Sequence, residues 1–325
     1  MIGFLIRKIG YGFLILLGIN LLTFVLFFKV NTPDDMARMQ LGGKRINQEA
    51  IEKWKAERGY NKALFYDETQ EGTQRLSQTL FFQTSRQLFT FSFGPSDAGR
   101  DISTEIMRRA PASLMLALPA FLLGMAISIL IALVLAFFRG SYLDFWGTIF
   151  CVVLMSISAL FFIVAGQFMF SKVLQWLPVS GFSWGQDTWR FLCLPLAISV
   201  LSRIGGEVRF NRSVFLEEID KDYVRTAKAK GLSELQVLFS HVLRNALIPI
   251  ISSSVAVIPL LFMGSLLVES FFSIPGLGSY LIEAIGAQDF AIVRSMVFVG
   301  SVLYIFGLIL TEFCYAWADP RIRLQ

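Results

Sequence analysis

Long unbroken apolar runs alternate with polar stretches along this chain, and the length of the runs sets the scale of the fold. A helix rises about 1.5 Å per residue and the hydrocarbon layer of a bilayer is about 30 Å thick, so roughly 20 apolar residues make one crossing. Positions 9–28, 112–138, 145–170, 247–268 and 291–316 each reach that length. Only the last contains charges, Arg294 and Glu312, both near its ends. A sixth run, 191–204, gives only about three turns, holds Pro195 and ends against Arg203 and the stretch GGEVRF.

Charge placement brings the sixth run in. With six spans, the short segments on one side carry 13 Lys or Arg and those on the other carry three, Lys172, Arg190 and Arg294. That imbalance orients a membrane protein with both termini in the cytoplasm. Composition agrees, with 55% hydrophobic and 16% charged residues, too apolar for one water-soluble core. The expected fold is therefore an all-α integral membrane protein of six transmembrane helices. The basic start MIGFLIRK resembles a signal peptide, but the run after it is long and KVNTPDD has no small-residue cleavage pattern, so it reads as a retained anchor. Cys151, Cys193 and Cys314 fall inside spans without disulfide or metal spacing and read as small core residues.

The largest polar piece, 30–110, is near neutral, with 12 Lys or Arg and 11 Asp or Glu, and on this orientation lies outside the cytoplasm. Within it, NQEAIEKWKAERGY predicts a short helix with Ile51 and Trp54 on one side and Gly59 as its stop. FTFSFGPSDAGRD alternates aromatic and polar residues and predicts a strand or extended stretch. The piece reads either as a cap packed on the outer span ends or as a landing surface for a partner. Between the last two spans, ESFFSIPGLGSYLIEAIGAQDF puts Pro275, Gly276 and Gly278 where a helix should break, close to Glu269. The helix that follows would lie along the interface on Leu281, Ile282 and Ile285, as a gate at a pore mouth or a plain connector.

The stretch that span-making does not explain is cytoplasmic. Leu216, Ile219, Tyr223 and Ala227 recur at helical spacing within 212–230, with Lys and Glu around the other face, which predicts an amphipathic helix stopping at Gly231. Ser233 with Gln236 three residues on is a capping-box pattern, and Leu235, Leu238, Phe239, Val242, Leu243 and Ala246 stripe the helix behind it. Gln236, Ser240, His241 and Arg244 fall on its outer side. About four to six residues would suffice to reverse the chain, so a helix–Gly–helix corner is built either for a partner or to lie on lipid headgroups through Lys221, Arg225, Lys228 and Lys230.

Chemistry is sparse. Ser156, Gln167, Ser199, Ser202 and Ser253 could line a path, although small polar residues equally serve helix packing in bilayers. His241, the single histidine, falls on the cytoplasmic helix, and no H-E-x-x-H occurs. The Gly43–Lys44 pair lacks the spacing of a phosphate-cradling loop, so ATP would be hydrolysed elsewhere. No ionisable residue falls well inside a span, which argues against a secondary transporter or channel, the rival class.

At the corner the chain resembles the permease subunits of ATP-binding-cassette importers for dipeptides, oligopeptides and nickel. The family's cytoplasmic Glu-Ala-Ala, three residues, Gly pattern aligns with Arg225, Thr226, Ala227 and Gly231, of which Ala227 and Gly231 match. FSFGPS, RRAPASLMLAL, ESFFSIPGLGSYLIEAI and ADPRIRL are similar to stretches in the family's corresponding places, while 31–89 departs most. The resemblance implies a segment and first span (1–29), an extracytoplasmic domain (30–110) and a permease core (111–325) with a coupling loop at 203–246. It implies that Asp222, Tyr223, Arg225 to Lys228 and Lys230 to Ser233 seat the loop on an ATPase, with Glu269, Pro275, Gly276 and Gly278 as an outer gate. The partners implied are a second, similar permease chain, two ATPase subunits that bind ATP and Mg, an extracytoplasmic substrate-binding protein and membrane lipid, in a bacterial inner membrane. This chain itself would be non-catalytic and hold no cofactor. Short peptides or peptide-like compounds are the implied cargo, with nickel or another small solute as the alternative.

Overall fold

The structure is a computed structural model that describes residues 2–42, 47–68, 70, 72, 74–255, 257, 261 and 265–318, with side chains described from 6 to 310 apart from 255. The Gly43–Lys44 pair, the side chains of Glu312 and Cys314, and the terminal Arg321 and Arg323 lie outside the described residues. Every regular element among the described residues is a helix.

Five helices are long and apolar enough to cross a bilayer: Ile6–Val30, Ile102–Phe137, Thr188–Ile219, Glu234–Ser254 and Phe290–Leu310. A bent pair, Tyr142–Ser156 with Ala159–Val173, makes six if it is one span. The run 145–170 is thus two helices meeting at 90°, not one. Ile157 leaves the helix in an extended conformation, and Ser158 starts the next one by accepting the Phe161 amide with its side chain. The short run 191–204 is the larger correction. Its helix continues for 32 residues, through Pro195 and on through Arg203 and the glycines that were read as its end. Part of 247–268 lies outside the described residues, and its described beginning belongs to Glu234–Ser254.

The chain divides into two compact units, Met1–Arg108 with Tyr280–Leu303, and Arg109–Ser279 with Tyr304–Gln325. The first contains α1 (Ile2–Val25, continued by a wider turn, Leu26–Val30), α2 (Pro33–Leu41), α3 (Gln48–Arg58) and α4 (Leu80–Phe89). Thr32 begins α2 with a reciprocal cap to Asp35, and Gly59 ends α3 at φ 68°, the stop its sequence predicted. Ile51 and Trp54 turn inward, as expected, onto Phe24, Phe28, Met36 and Leu80. Phe24 meets Phe81 edge-on with ring centres 5.0 Å apart, and Phe28 meets Tyr60 at 5.2 Å. The stretch 89–101 forms no strand. Phe89 closes α4, and left-handed Phe91, Gly94 and Gly99 reverse the chain, leaving a single bridge from Pro95 to Asp101.

The second unit holds most of α5 (Ile102–Phe137), then α6 (Tyr142–Ser156), α7 (Ala159–Gly166), α8 (Thr188–Ile219), α9 (Asp222–Ala229), α10 (Glu234–Ser254) and α11 (Leu266–Phe271). α12 (Leu277–Ala287) begins in this unit but lies mostly in the first, and α13 (Phe290–Ala318) belongs to the first unit up to Leu303 and to the second from Tyr304. α6 packs against α8 so closely that a Cβ on Gly205 would press on the Cys151 carbonyl. At the end of α6 nearest α9, Asp144 grips Arg212 with two bonds of 2.7 Å and also accepts the Gly140 amide. Arg139 reaches Asp220 at 3.0 Å, and Asn211 donates to Ser128. These polar ties fix the base of the segment that follows.

Candidate functional site

The corner begins where α8 ends. A single helix over 212–230 was expected, but the chain breaks at Asp220 and Lys221 and restarts as α9. The break is held by Glu218, buried beneath it, which accepts from the Tyr223 hydroxyl at 2.6 Å and pairs with Lys221. Burial first, and the Glu218 carboxylate second, push the Tyr223 phenol up to about 12. Tyr223 therefore stays a neutral donor throughout the physiological range.

Val224 and Ala227 are buried and anchor α9, while Asp222, Arg225, Thr226 and Lys228 face solvent. Val224 was not singled out from the sequence, although it sits three residues before Ala227 on the same helical face. α9 ends with Lys230 donating its amide to the Thr226 carbonyl and Gly231 to that of Lys228. Gly231 sits at φ 81°, a conformation that an L side chain adopts with strain, and Leu232 returns its amide to Ala227. Ser233 and Gln236 then form both halves of the expected capping box at the start of α10. The corner is thus a fixed bend and not a slack loop.

Its apolar stripe differs from expectation in one respect. Leu238, Val242 and Ala246 are buried as predicted, but Leu235 and Phe239 are more than half exposed, and Val237 is buried instead. Residues Leu238–Leu243 form a wider π-type turn, and that extra residue per turn rotates the stripe away from the regular spacing. Leu235 and Phe239, together with Leu232 in the turn, are exposed apolar residues of the corner.

A cavity of about 610 Å³ opens along α5 and α8, with Ser199, Ser202, Arg203 and Glu207 among its lining residues. A smaller one of about 200 Å³ shares Arg203 and Glu207 and includes Ser253. Three of the five path candidates therefore line cavities, though Ser199, Ser202 and Ser253 each give their hydroxyl to a carbonyl of their own helix. Ser156 and Gln167 line neither. Ser156 bonds the Val152 carbonyl, and the Gln167 amide ties Val179 to Phe271 with bonds of 3.0 and 3.1 Å.

Arg203, at the end of the apolar run 191–204, and Glu207, beyond it, sit in the middle of the longer helix α8 and pair at 3.1 Å. The signal was available. Ser199, Arg203 and Glu207 recur every four residues and so share one helical face.

The stretch from Glu269 to Ser279 is also more ordered than expected. Glu269 is fully buried and accepts amides from Gly278 at 2.7 Å, Ser279 at 3.1 Å and Ser265 at 3.1 Å. Ser113 accepts the Leu277 amide at 2.7 Å. A carboxylate at the start of α12 satisfies amides that have no partner within the helix and meets the positive end of its dipole. Gly278 lies inside α12 and does not break it. There a Cβ would come within 2.9 Å of Glu269 and 3.0 Å of the Leu266 backbone, and at Gly276 it would fall on the Glu269 carboxylate itself. Of the stripe expected to seat this helix, Ile285 is exposed, while Tyr280 and Ala284 are the buried positions.

Residues 124–324, which include the cavities' α8 face and the whole corner, match the family described as binding-protein-dependent transport system inner membrane component. Residues 1–117 match that family's amino-terminal part. The chain belongs to this transport family. A relative within it from Brucella abortus (strain 2308) is 32% identical over 329 residues, 99% of each chain. The oligopeptide transport system permease protein AppB of Bacillus subtilis (strain 168) is 30% identical over 99% of this chain and 100% of its own. The di/tripeptide transport system permease protein DppB of Pseudomonas aeruginosa (strain UCBPP-PA14) is 29% identical over the full length of both. As a membrane component of such a system, the chain is a transport subunit whose apolar helices suit a multi-pass membrane protein.

Proposed function

We propose that the chain is the transmembrane permease of an ATP-driven importer of short peptides, forming half of a translocation path with a second, similar permease chain. Full-length similarity to peptide permeases supports the cargo class. Nickel or another small solute is the alternative cargo. Two separate ATPase subunits would dock on the cytoplasmic side and a substrate-binding protein on the other. Both termini would lie in the cytoplasm of a bacterial cell and 30–110 outside its inner membrane, the orientation that the 13-to-3 distribution of basic residues favours. ATP and Mg would be bound by the partners, leaving this chain a non-catalytic element.

The observation that carries the mechanism is the rigid corner. Val224 and Ala227 root it, Gly231 bends it, and Leu232, Leu235 and Phe239 stay exposed at its surface. An ATPase that binds two arrangements of this corner with different affinity biases the spans between inward and outward openings, because a ligand shifts an equilibrium only by its differential affinity. Asp144–Arg212 and Arg139–Asp220 would carry the displacement into α6 and α8. The cavity along α8 would serve as the path, with Ser199, Ser202 and the Arg203–Glu207 pair facing the peptide's polar backbone and charged ends. Glu269, Pro275, Gly276 and Gly278 would brace the outer gate.

The Arg203–Glu207 pair lines the cavity along α8, and ionisable residues on a path are the mark of one rival, an ion-coupled carrier. Uptake of a labelled dipeptide into proteoliposomes separates the two. Uptake that requires ATP and the ATPase subunits supports the importer. Uptake driven by a proton or sodium gradient without ATP sinks it.

A further inference from the structure

In the unit formed by Met1–Arg108 and Tyr280–Leu303 there is a cavity of about 400 Å³, bounded by α3, α4 and the loop 93–99. Its polar wall includes Arg58, Tyr60, Gln87, Asp97 and Arg294. Arg58 and Asp97 answer each other within the unit. Arg58 pairs with Asp97 at 2.8 Å and stacks over Trp54 with 4.4 Å to the ring centre, and Glu57 at the rim is exposed to solvent.

Arg294 is different. It is only 6% exposed, and among the described residues no acid pairs with it and no acceptor meets its buried Nε. Its neighbour in the structure is the Phe28 ring, 5.4 Å from the guanidinium carbon. Asp289, five residues earlier in the chain, is already committed to the amides of Asp97 at 2.7 Å and Ile292 at 3.1 Å. A buried cation without a counter-ion is strongly unfavourable, and an aromatic face compensates it only in part. The guanidinium is a planar fork of donors that fits a carboxylate with two parallel bonds. A volume of about 400 Å³ lies within the usual range for a small-ligand site.

We propose that this cavity binds the carboxylate of a small solute, held by Arg294 and flanked by the Tyr60 hydroxyl and the Gln87 amide. The further step, that the carboxylate is the C terminus of a short peptide, rests on the peptide-import reading above. A site here would discriminate free acids from blocked ones.

The test is calorimetric titration of the full chain, in nanodiscs with the subunits that co-purify, using Ala-Phe, Ala-Phe amide and sodium acetate. Wild type is compared with Arg294→Met and Arg294→Lys. The Met variant keeps the apolar stem against Phe28 and removes an unpaired buried charge, so it is expected to fold. Amidation should weaken binding at least tenfold in wild type, Arg294→Met should weaken the free acid equally and erase the acid-to-amide ratio, and Arg294→Lys should restore part of it. Saturable acetate binding that Arg294→Met abolishes, with no binding of either peptide, keeps the carboxylate site and removes the peptide as its ligand. Equal affinity for acid and amide, or no difference between wild type and Arg294→Met with any carboxylate probe, overturns the proposal. If the Met variant fails to fold, Arg294→Lys decides: an acid-to-amide ratio equal to that of wild type overturns the proposal, and a reduced one supports it.

Discussion

Removing the Glu269 carboxylate should unlock the turn before α12. The side chain is fully buried and holds three backbone amides, at 2.7, 3.1 and 3.1 Å. Leaving a buried donor unsatisfied costs about 1–3 kcal/mol, and loss of a negative group at a helix start adds about 0.3–1 kcal/mol. Three donors exceed what relaxation and an entering water can compensate, so Glu269→Ala should cost about 3–6 kcal/mol. Glu269→Gln distinguishes hydrogen bonding from charge. Its carbonyl oxygen can replace Oε2, which takes two of the three amides, but its NH2 then faces the Ser265 amide as donor against donor. The expected cost is about 2 kcal/mol, from one lost acceptor and the lost charge. Gly276→Ala should act in the same direction without removing the carboxylate, because the new Cβ would land on it and displace it. The assay is thermal unfolding of the purified chain in nanodiscs, followed by intrinsic fluorescence. At roughly 2–4 °C per kcal/mol for domains of about 150–250 residues, the alanine variant should melt several degrees lower, with glutamine between it and wild type. Melting of Glu269→Ala within 1 °C of wild type, or glutamine below alanine, would refute the reasoning.

Other consequences follow from the same geometry. Gly231→Pro or Gly231→Val cannot adopt φ 81° without strain, so ATPase activity should separate from transport in proteoliposomes while the chain still inserts; wild-type transport and stimulation would remove the coupling assignment. Arg212→Ala leaves Asp144 nearly buried without its partner; since Arg212 is about a quarter exposed, the expected loss is nearer 2 kcal/mol than the 3–5 of a fully buried pair. A thermal-melt double-mutant cycle with Asp144→Ala should show coupling, and additivity would deny it. Burial, ahead of the Asp97 and Ile292 amides that oppose it, raises the Asp289 carboxyl above its ordinary range. A raised folded value means stability that is complete below the unfolded carboxylate range and lost as pH rises through the folded value. Asp289→Asn should therefore flatten the pH dependence of melting on the acid side of neutrality, and an unchanged profile would contradict this.

What could be read from the sequence was local. Gly231, the Ser233–Gln236 cap and the Gly59 stop are settled by side chains within four residues of one another, so spacing alone predicted them. Features that depend on chain folding back were not legible. Glu269 is a lone acid in sequence, and its acceptor role depends on amides nine and ten residues ahead of it. Arg203 looked like the end of a span because hydropathy falls there, yet helix geometry carries α8 on to Ile219, with a charge pair in its middle. Leu235 and Phe239 were placed by a regular 3.6-residue period that the wide turn at Leu238–Leu243 does not keep. Arg294 was visible as a charge near a span end, but its burial, and its want of a paired acid among the described residues, appear only in three dimensions.

The central claim is that the 222–239 corner is seated on an ATPase, and a photo-crosslinking residue placed at Leu235 in the assembled complex tests it most directly. The expected result is a covalent product with an ATPase subunit whose yield changes between the nucleotide-free and ATP-bound states. Crosslinks to lipid alone, in a complex that still imports its cargo with ATP, would contradict it.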